Sequence, residues 1–129
     1  MKIAVPSTGP EGLESEVSMH FGRAPYYTFV EIENGEIKNV ETIPVPFEEH
    51  GPGDLPNFIR EHGGDVVIAY GMGHRAVEFF QSMGIAVITG AYGKVGDVVR
   101  AFIQQNLETD SRWKERIEKD KHGEEHGHN

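Results

Sequence analysis

The chain has 129 residues and carries 12 basic and 21 acidic side chains, which give it a formal net charge of -9. This length is typical of a single compact domain. The absence of cysteine excludes thiolate catalysis, disulfide frameworks and an iron-sulfur cluster held in the usual four-thiolate way. A bound metal would therefore need imidazole, carboxylate or thioether ligands. The acidic balance argues against nucleic-acid binding, which normally uses a basic surface.

The N-terminus and the hydropathy pattern predict a cytoplasmic protein. Pro6 interrupts the first apolar run before a signal-peptide core could form. No apolar stretch approaches the roughly 20 residues that are needed to cross a bilayer. We therefore expect no membrane partner, no nucleic-acid partner, and a monomer or a weak homo-oligomer.

The first half of the chain is typical of three strands. The run Ile3-Ala4-Val5 predicts a buried strand, and residues 7–25 predict a long loop of the kind that often carries function. Two β-prone runs follow, from Tyr26 to Glu33 and from Glu36 to Ile43. Asn34-Gly35 separates them and favours a type I′ turn, so the two runs predict a hairpin.

The second half alternates helix and strand. Asp54 is predicted to cap a short helix, and a second helix is predicted from His74 to Met83. The continuous apolar runs at residues 66–70 and 85–88 are typical of parallel strands that are covered on both faces. Apolar residues at helical spacing from Val95 onward predict a third helix. The element order βββαβαβα indicates an α/β domain.

We predict a domain at residues 1–107, followed at residues 108–129 by a charged peripheral helix and a flexible tail. The tail contains three histidines whose spacing could chelate a transition metal weakly. The alternative is a solvated tail without a specific role. These histidines are His122, His126 and His128.

A glycine-rich turn, Gly71-Met72-Gly73, follows the buried strand at residues 66–70 and opens a helix. It fits a dinucleotide phosphate loop only superficially, because the acidic residue expected roughly twenty positions later is missing. Helix-terminal N–H groups, aided by Arg75, could still hold an anion, although a tight structural turn is the alternative. A second glycine-rich turn, from Gly90 to Lys94, is predicted at the same edge of the sheet.

The segment from Ser18 to Tyr26 reads Ser-Met-His-Phe-Gly-Arg-Ala-Pro-Tyr. Within it, His20 can supply a metal ligand and Arg23 an anion clamp. The segment resembles the signature of the dinitrogenase iron-molybdenum cofactor biosynthesis family, which comprises small nitrogenase accessory and cofactor-carrier proteins. Residues 3–5, 65–73 and 84–87 resemble the family pattern in order and spacing, so that the resemblance covers about residues 1–107.

This resemblance implies a ribonuclease H-like three-layer fold, with a five-stranded mixed sheet ordered 3-2-1-4-5 and helices on both faces. It also implies an iron-molybdenum cofactor or a related iron-sulfur cluster precursor as ligand, with His20 as the candidate metal ligand. Cluster donor and acceptor proteins would be the partners. Some relatives carry cysteines that could assist a cluster, whereas this chain has none.

Ligands of such sheets bind outside the carboxyl ends of the parallel strands. We therefore expect the loops after Pro6, Tyr70 and Ile88 to converge on one cleft, with Ser7, Met19 and the turn from Gly90 to Lys94 close by. The predicted site residues are Ser18, His20, Phe21, Gly22, Arg23, Gly71, Met72, Gly73 and Arg75.

The predicted function is that of a non-catalytic cluster carrier. The alternative is a protein-interaction or regulatory module of the same fold without metal cargo. An enzyme that uses His20 and His50 as acid and base is less favoured, because the chain has no nucleophile or cofactor signature. A two-metal nuclease is excluded by the first strand, which offers no carboxylate.

Overall fold

Five strands form one mixed sheet within residues 1–46, 51 and 53–118, the part of the chain that the computed structural model describes. The sheet order is β3-β2-β1-β4-β5, in which β1 is antiparallel to β2 and parallel to β4. This arrangement confirms the predicted α/β class and strand order. The strands are β1 (Lys2–Ser7), β2 (Tyr26–Glu33), β3 (Glu36–Pro44), β4 (Val66–Ile68) and β5 (Ala86–Ile88).

Three α-helices cover the two faces of the sheet: α1 (Asp54–Glu61), α2 (His74–Ser82) and α3 (Val95–Ile103). Side chains of β1 alternate between the faces, as strand geometry requires. Ala4 joins an apolar cluster with residues of α1 and α2, whereas Ile3 and Val5 join a second cluster with residues of α3. The predicted three layers are thus confirmed. No helix of the described residues is long and apolar enough to cross a membrane.

The hairpin between β2 and β3 forms at the predicted turn. Asn34 and Gly35 have φ values of 53° and 76°, as a type I′ turn requires. The predicted cap of α1 is wrong by one residue, since Gly53 is the N-cap and Asp54 is the first helical residue. The Asp54 carboxylate instead accepts a hydrogen bond from the backbone N–H of Gly51, at 2.7 Å.

The prediction that both parallel strands are covered on both faces holds for β4 and is wrong for β5. All three residues of β4 are buried, whereas in β5 Ala86 is exposed and Val87 and Ile88 are half-buried. The reason is position, because β4 is an inner strand and β5 is the last strand of the sheet. An apolar run alone does not distinguish these two positions.

Residues 7–25, predicted as a long loop, are more ordered than expected. They contain two 3-10 turns, Gly12–Glu14 and Phe21–Arg23, and Ser7 belongs to β1. Backbone hydrogen bonds from Val17 N–H to the Gly93 carbonyl (2.9 Å) and from Val95 N–H to the Ser15 carbonyl (2.8 Å) tie the segment to the start of α3. These long-range pairings leave no local sequence signal.

The turn at Phe21–Arg23 is anchored in the core. The Tyr27 hydroxyl donates a hydrogen bond to the Phe21 carbonyl at 2.5 Å. The Phe21 ring packs edge-to-face on the rings of Tyr27 and Phe80, at centroid distances of 5.6 and 5.5 Å. Burial raises the pKa of Tyr27 well above its ordinary value of 10.0. The core therefore fixes the position of the residues on either side of Phe21.

We expect Phe80→Ala to destabilise the protein strongly, because the Phe80 side chain is fully buried between α2 and the Phe21 turn. Loss of a buried phenylalanine costs about 3–5 kcal/mol. The matched control is Phe79→Ala, since this neighbouring ring is 38% exposed and should cost far less. Urea denaturation of both variants measures the difference. Equal losses would contradict the assignment of Phe80 to the core.

We expect the free energy of unfolding to fall as the pH rises above about 10, in part because of Tyr27. The unfolded chain releases the Tyr27 proton near the ordinary pKa of 10.0, whereas the folded chain retains it to higher pH. At neutral pH, the free energy of unfolding of Tyr27→Phe should be about 0.5–1.5 kcal/mol lower than that of the wild type, because the hydrogen bond is missing. Above about pH 10, it should fall less steeply than that of the wild type. Urea denaturation at several pH values measures both effects. Tyr92→Phe, which alters a ring that is 57% exposed, is the control, and an unchanged pH dependence in Tyr27→Phe would contradict the expectation.

Candidate functional site

A cavity of about 240 Å³ lies where the loop before β2 meets the loop after β4. Both loops are at the edge of the sheet that was expected to bind ligands. The turn around His20 forms one wall and the turn after Tyr70 forms another. The lining residues are His20, Phe21, Gly22, Arg23, Gly71, Met72, Gly73, Trp113 and Ile117.

The two loops meet at Gly71. The backbone N–H of Phe21 donates a hydrogen bond to the Gly71 carbonyl at 3.2 Å. A Cβ atom at Gly71 would lie 3.1 Å from the Met19 carbonyl oxygen and 2.0 Å from Ile117 Cδ1. Glycine is thus needed here because two backbone segments and a side chain approach one another closely.

His20 lies at the start of the Phe21–Arg23 turn, and its side chain is half-buried. The buried Ser18 hydroxyl accepts a hydrogen bond from His20 N–H (3.3 Å) and donates one to the His20 carbonyl (3.2 Å). Ser18 therefore orients the His20 backbone and does not line the cavity. The His20 side chain lines the cavity, and within the part of the chain that the structure describes no hydrogen bond or ion pair engages its imidazole.

Positive charge at the cavity comes from Arg23 and from the start of α2. The Arg23 side chain is exposed and lines the cavity. Helix α2 begins at His74, directly after Gly73, so its partial positive end adjoins the same space. Arg75, the second predicted cation, is elsewhere: it lines a separate surface cavity together with Glu78, Phe79 and Ser82.

The other residues expected nearby are also placed outside this cavity. The Ser7 hydroxyl is buried and shares a hydrogen bond with the Thr28 hydroxyl at 3.0 Å. Lys94 forms an exposed ion pair with Glu14 at 3.0 Å. This contact raises the pKa of Lys94 and lowers the pKa of Glu14. Met19 and Tyr92 line a neighbouring cavity of about 450 Å³.

Trp113 and Ile117, which complete the cavity, were not among the predicted site residues. Both belong to a short helical stretch at residues 113–118 and are half-buried. Their spacing of four places them on one face of that helix. The apolar pair in an otherwise charged segment was a signal for a packed helix, but it did not indicate what the helix packs against.

Potential metal ligands are few at this site. Among residues 1–46, 51 and 53–118, no three His, Cys, Asp or Glu side chains come together as a group that could hold a metal ion. His50 and the tail histidines His122, His126 and His128 lie outside the described residues. The cavity thus offers one imidazole, one guanidinium, the Met72 thioether and a helix start, which together can attract an anionic ligand.

Comparison with known proteins gives relatives along almost the whole chain. An uncharacterized protein of Methanocaldococcus jannaschii, MJ0580, is 33% identical over 111 residues, which cover 84% of this chain and 90% of that protein. The crystal structure of PH0822 is similar at 50% identity and a TM-score of 0.83, over 88% of this chain and 99% of that one.

A third similarity concerns the fold alone. The apo form of the orange protein from Desulfovibrio gigas has a TM-score of 0.72 at 23% identity, over 85% of this chain and 92% of that one. The family model described as dinitrogenase iron-molybdenum cofactor matches residues 1–105, which include both loops of the cavity. The chain therefore belongs to the dinitrogenase iron-molybdenum cofactor family.

Proposed function

We propose that the protein is a non-catalytic carrier, which binds an iron-molybdenum cofactor or a related iron-sulfur cluster precursor in the cavity between the His20 and Gly71 loops. The carrier receives this cargo from a donor protein and passes it to an acceptor protein in the cytoplasm. The observation that supports the proposal most directly is the His20 imidazole, which lines a cavity beside Arg23 and the start of α2.

Each group has a definite role in this proposal. The neutral imidazole of His20 ligates an iron atom at the surface of the cluster. The Arg23 guanidinium donates hydrogen bonds to the anionic surface of the cluster, and the start of α2 adds partial positive charge. Phe21, buried against Tyr27 and Phe80, holds His20 and Arg23 in place.

A single protein ligand suits a carrier. A site with several strong ligands would retain a cluster, whereas one imidazole with surrounding hydrogen bonds allows exchange. The chain has no cysteine, and His20 is the one imidazole among the described residues that line the cavity, beside the weaker thioether donor of Met72. We propose that this sparse set of ligands lets the cluster exchange between proteins.

The net charge of -9 also bears on the proposal. The net negative charge of the protein does not attract an anionic cluster. Exposed charges farther away than about 8–10 Å are largely screened at physiological ionic strength. Attraction must therefore come from Arg23 and the α2 start, which adjoin the cavity.

We expect His20→Ala to bind the cluster about 100-fold more weakly or worse, since loss of a supporting residue around a metal ligand already costs about 10–100-fold. Anaerobic titration with reconstituted cluster, followed by its visible absorbance, measures the affinity. His74→Ala is the matched control, because this exposed histidine pairs with Glu78 and does not line the cavity. Unchanged affinity in His20→Ala would contradict the assigned ligand. Wild-type protein that stays colourless would contradict the carrier function and favour the interaction module.

We expect Arg23→Gln to weaken cluster binding about tenfold, the effect of losing a charge-assisted hydrogen bond. It should also flatten the salt dependence of binding. Arg75→Gln removes the same charge from a separate cavity and should leave both quantities nearly unchanged. Titration of both variants with cluster at low and at high salt measures the two quantities. Equal effects of the two substitutions would indicate that only the overall charge matters.

A further inference from the structure

Residues 108–118, called the strap below, lie across the carboxyl edge of the sheet. They follow α3 and lie outside the family match, which ends at residue 105. A Cβ atom at Gly71 would lie 2.0 Å from Ile117 Cδ1, and one at Gly90 would lie 2.6 Å from the Asp110 carbonyl oxygen. Two glycines, one after each of the last two strands, thus make room for the strap.

The strap separates two cavities. The smaller cavity, of about 240 Å³, contains His20 and Gly71, and Trp113 and Ile117 of the strap form one of its walls. The larger one, of about 450 Å³, is lined by Val17, Met19, Tyr70 and Tyr92 and by Asp110 and Arg116 of the strap. Met19 and Tyr70 line the larger cavity, whereas the residues that directly follow them, His20 and Gly71, line the smaller one. The strap lies between the two cavities.

The strap is held mainly at Asp110. Within the described part of the chain, a single backbone hydrogen bond joins strap and domain, from Asp110 N–H to the Gly90 carbonyl at 2.7 Å. The Asp110 carboxylate also accepts a hydrogen bond from the Tyr70 hydroxyl at 2.7 Å, while its ion pair with Arg116 at 2.7 Å lies within the strap itself. Beyond these contacts the strap relies on half-buried Trp113 and Ile117.

With these few attachments, the strap can detach while the rest of the domain stays folded. The helical stretch at residues 113–118 is too short to be stable without packing. Segments with few buried contacts and few backbone hydrogen bonds to the rest of a protein open at a lower free energy than the core. The space beside His20, of about 240 Å³, is also smaller than the roughly 300–1,000 Å³ of ordinary ligand sites.

We propose that the strap is a gate over the cargo site: it lifts from Gly71 and Gly90 without unfolding the domain, joins the two cavities into one cleft and so admits the cluster to His20. This inference rests on the proposed carrier function for the identity of the cargo. The motion itself is a property of the protein alone, so it can be tested without cargo.

The first test uses the full chain without cargo. Hydrogen exchange should be faster at the Asp110 and Trp113 amides than at the core amide of Val67, and the strap should exchange well below the denaturant concentration that unfolds the domain. Trp113 is the only tryptophan, so quenching of its fluorescence by acrylamide reports strap opening. Strap amides that exchange only with global unfolding would overturn the gate.

The second test uses variants of the strap. Asp110→Ala removes the hydrogen bond between the Asp110 carboxylate and the Tyr70 hydroxyl, and Ile117→Ala weakens the contact at Gly71 without changing charge. Both should increase quenching of Trp113 fluorescence and speed anaerobic loading with cluster by about tenfold, the factor expected from losing a hydrogen bond to a charged group. Glu115→Gln, which breaks only the exposed Arg112–Glu115 pair in the same segment, should change neither.

The outcomes separate the two proposals. Loading that depends on His20 but proceeds at the same rate in wild type, Asp110→Ala and Ile117→Ala would overturn the gate and leave the carrier function standing. A failure of every variant to bind cluster would overturn the carrier function, and with it the gate as a cargo gate. Hydrogen exchange and fluorescence quenching would then still decide whether the strap opens locally.

Discussion

The close approach of two loops at Gly71 is the constraint on which the site depends. The hydrogen bond from Phe21 N–H to the Gly71 carbonyl joins the segment before β2 to the segment after β4. The Phe21 ring continues this link into the core, where it packs on Tyr27 and Phe80. Because Phe21 lies between His20 and Arg23, the same contacts that stabilise the fold also position the His20 imidazole and the Arg23 guanidinium.

Under the proposed carrier function, this arrangement would let a protein without cysteine hold a cluster. Hydrogen bonds and ring contacts hold the backbone around Phe21 and Gly71, and the proposal assigns direct ligation to the side chain of His20. In the same proposal, Arg23 and the α2 start would supply the specificity for an anionic cargo. In this account the strap at residues 108–118 controls access to the site without contributing a metal ligand.

The sequence predicted the features that depend on local chemistry. The Asn34-Gly35 turn, the α/β element order and the group of residues around His20 and Gly71 followed from turn preferences, hydrophobic pattern and a family motif. Features that depend on distant contacts were not predictable. The exposure of β5 follows from its edge position, and the separation of Arg75 from Arg23 follows from how α2 leaves the cavity. The packing of Trp113 and Ile117 on Gly71 joins segments about forty residues apart, for which periodicity gives no signal.

The central claim is that His20 ligates the cargo directly. The most direct measurement is pulsed electron paramagnetic resonance of the full-length protein, loaded anaerobically with a paramagnetic iron-molybdenum or iron-sulfur cluster. The account predicts a nitrogen hyperfine coupling of an iron-bound imidazole, which is present in wild type and in His74→Ala and absent in His20→Gln. A bound cluster without this coupling, or a coupling that persists in His20→Gln, would contradict the account.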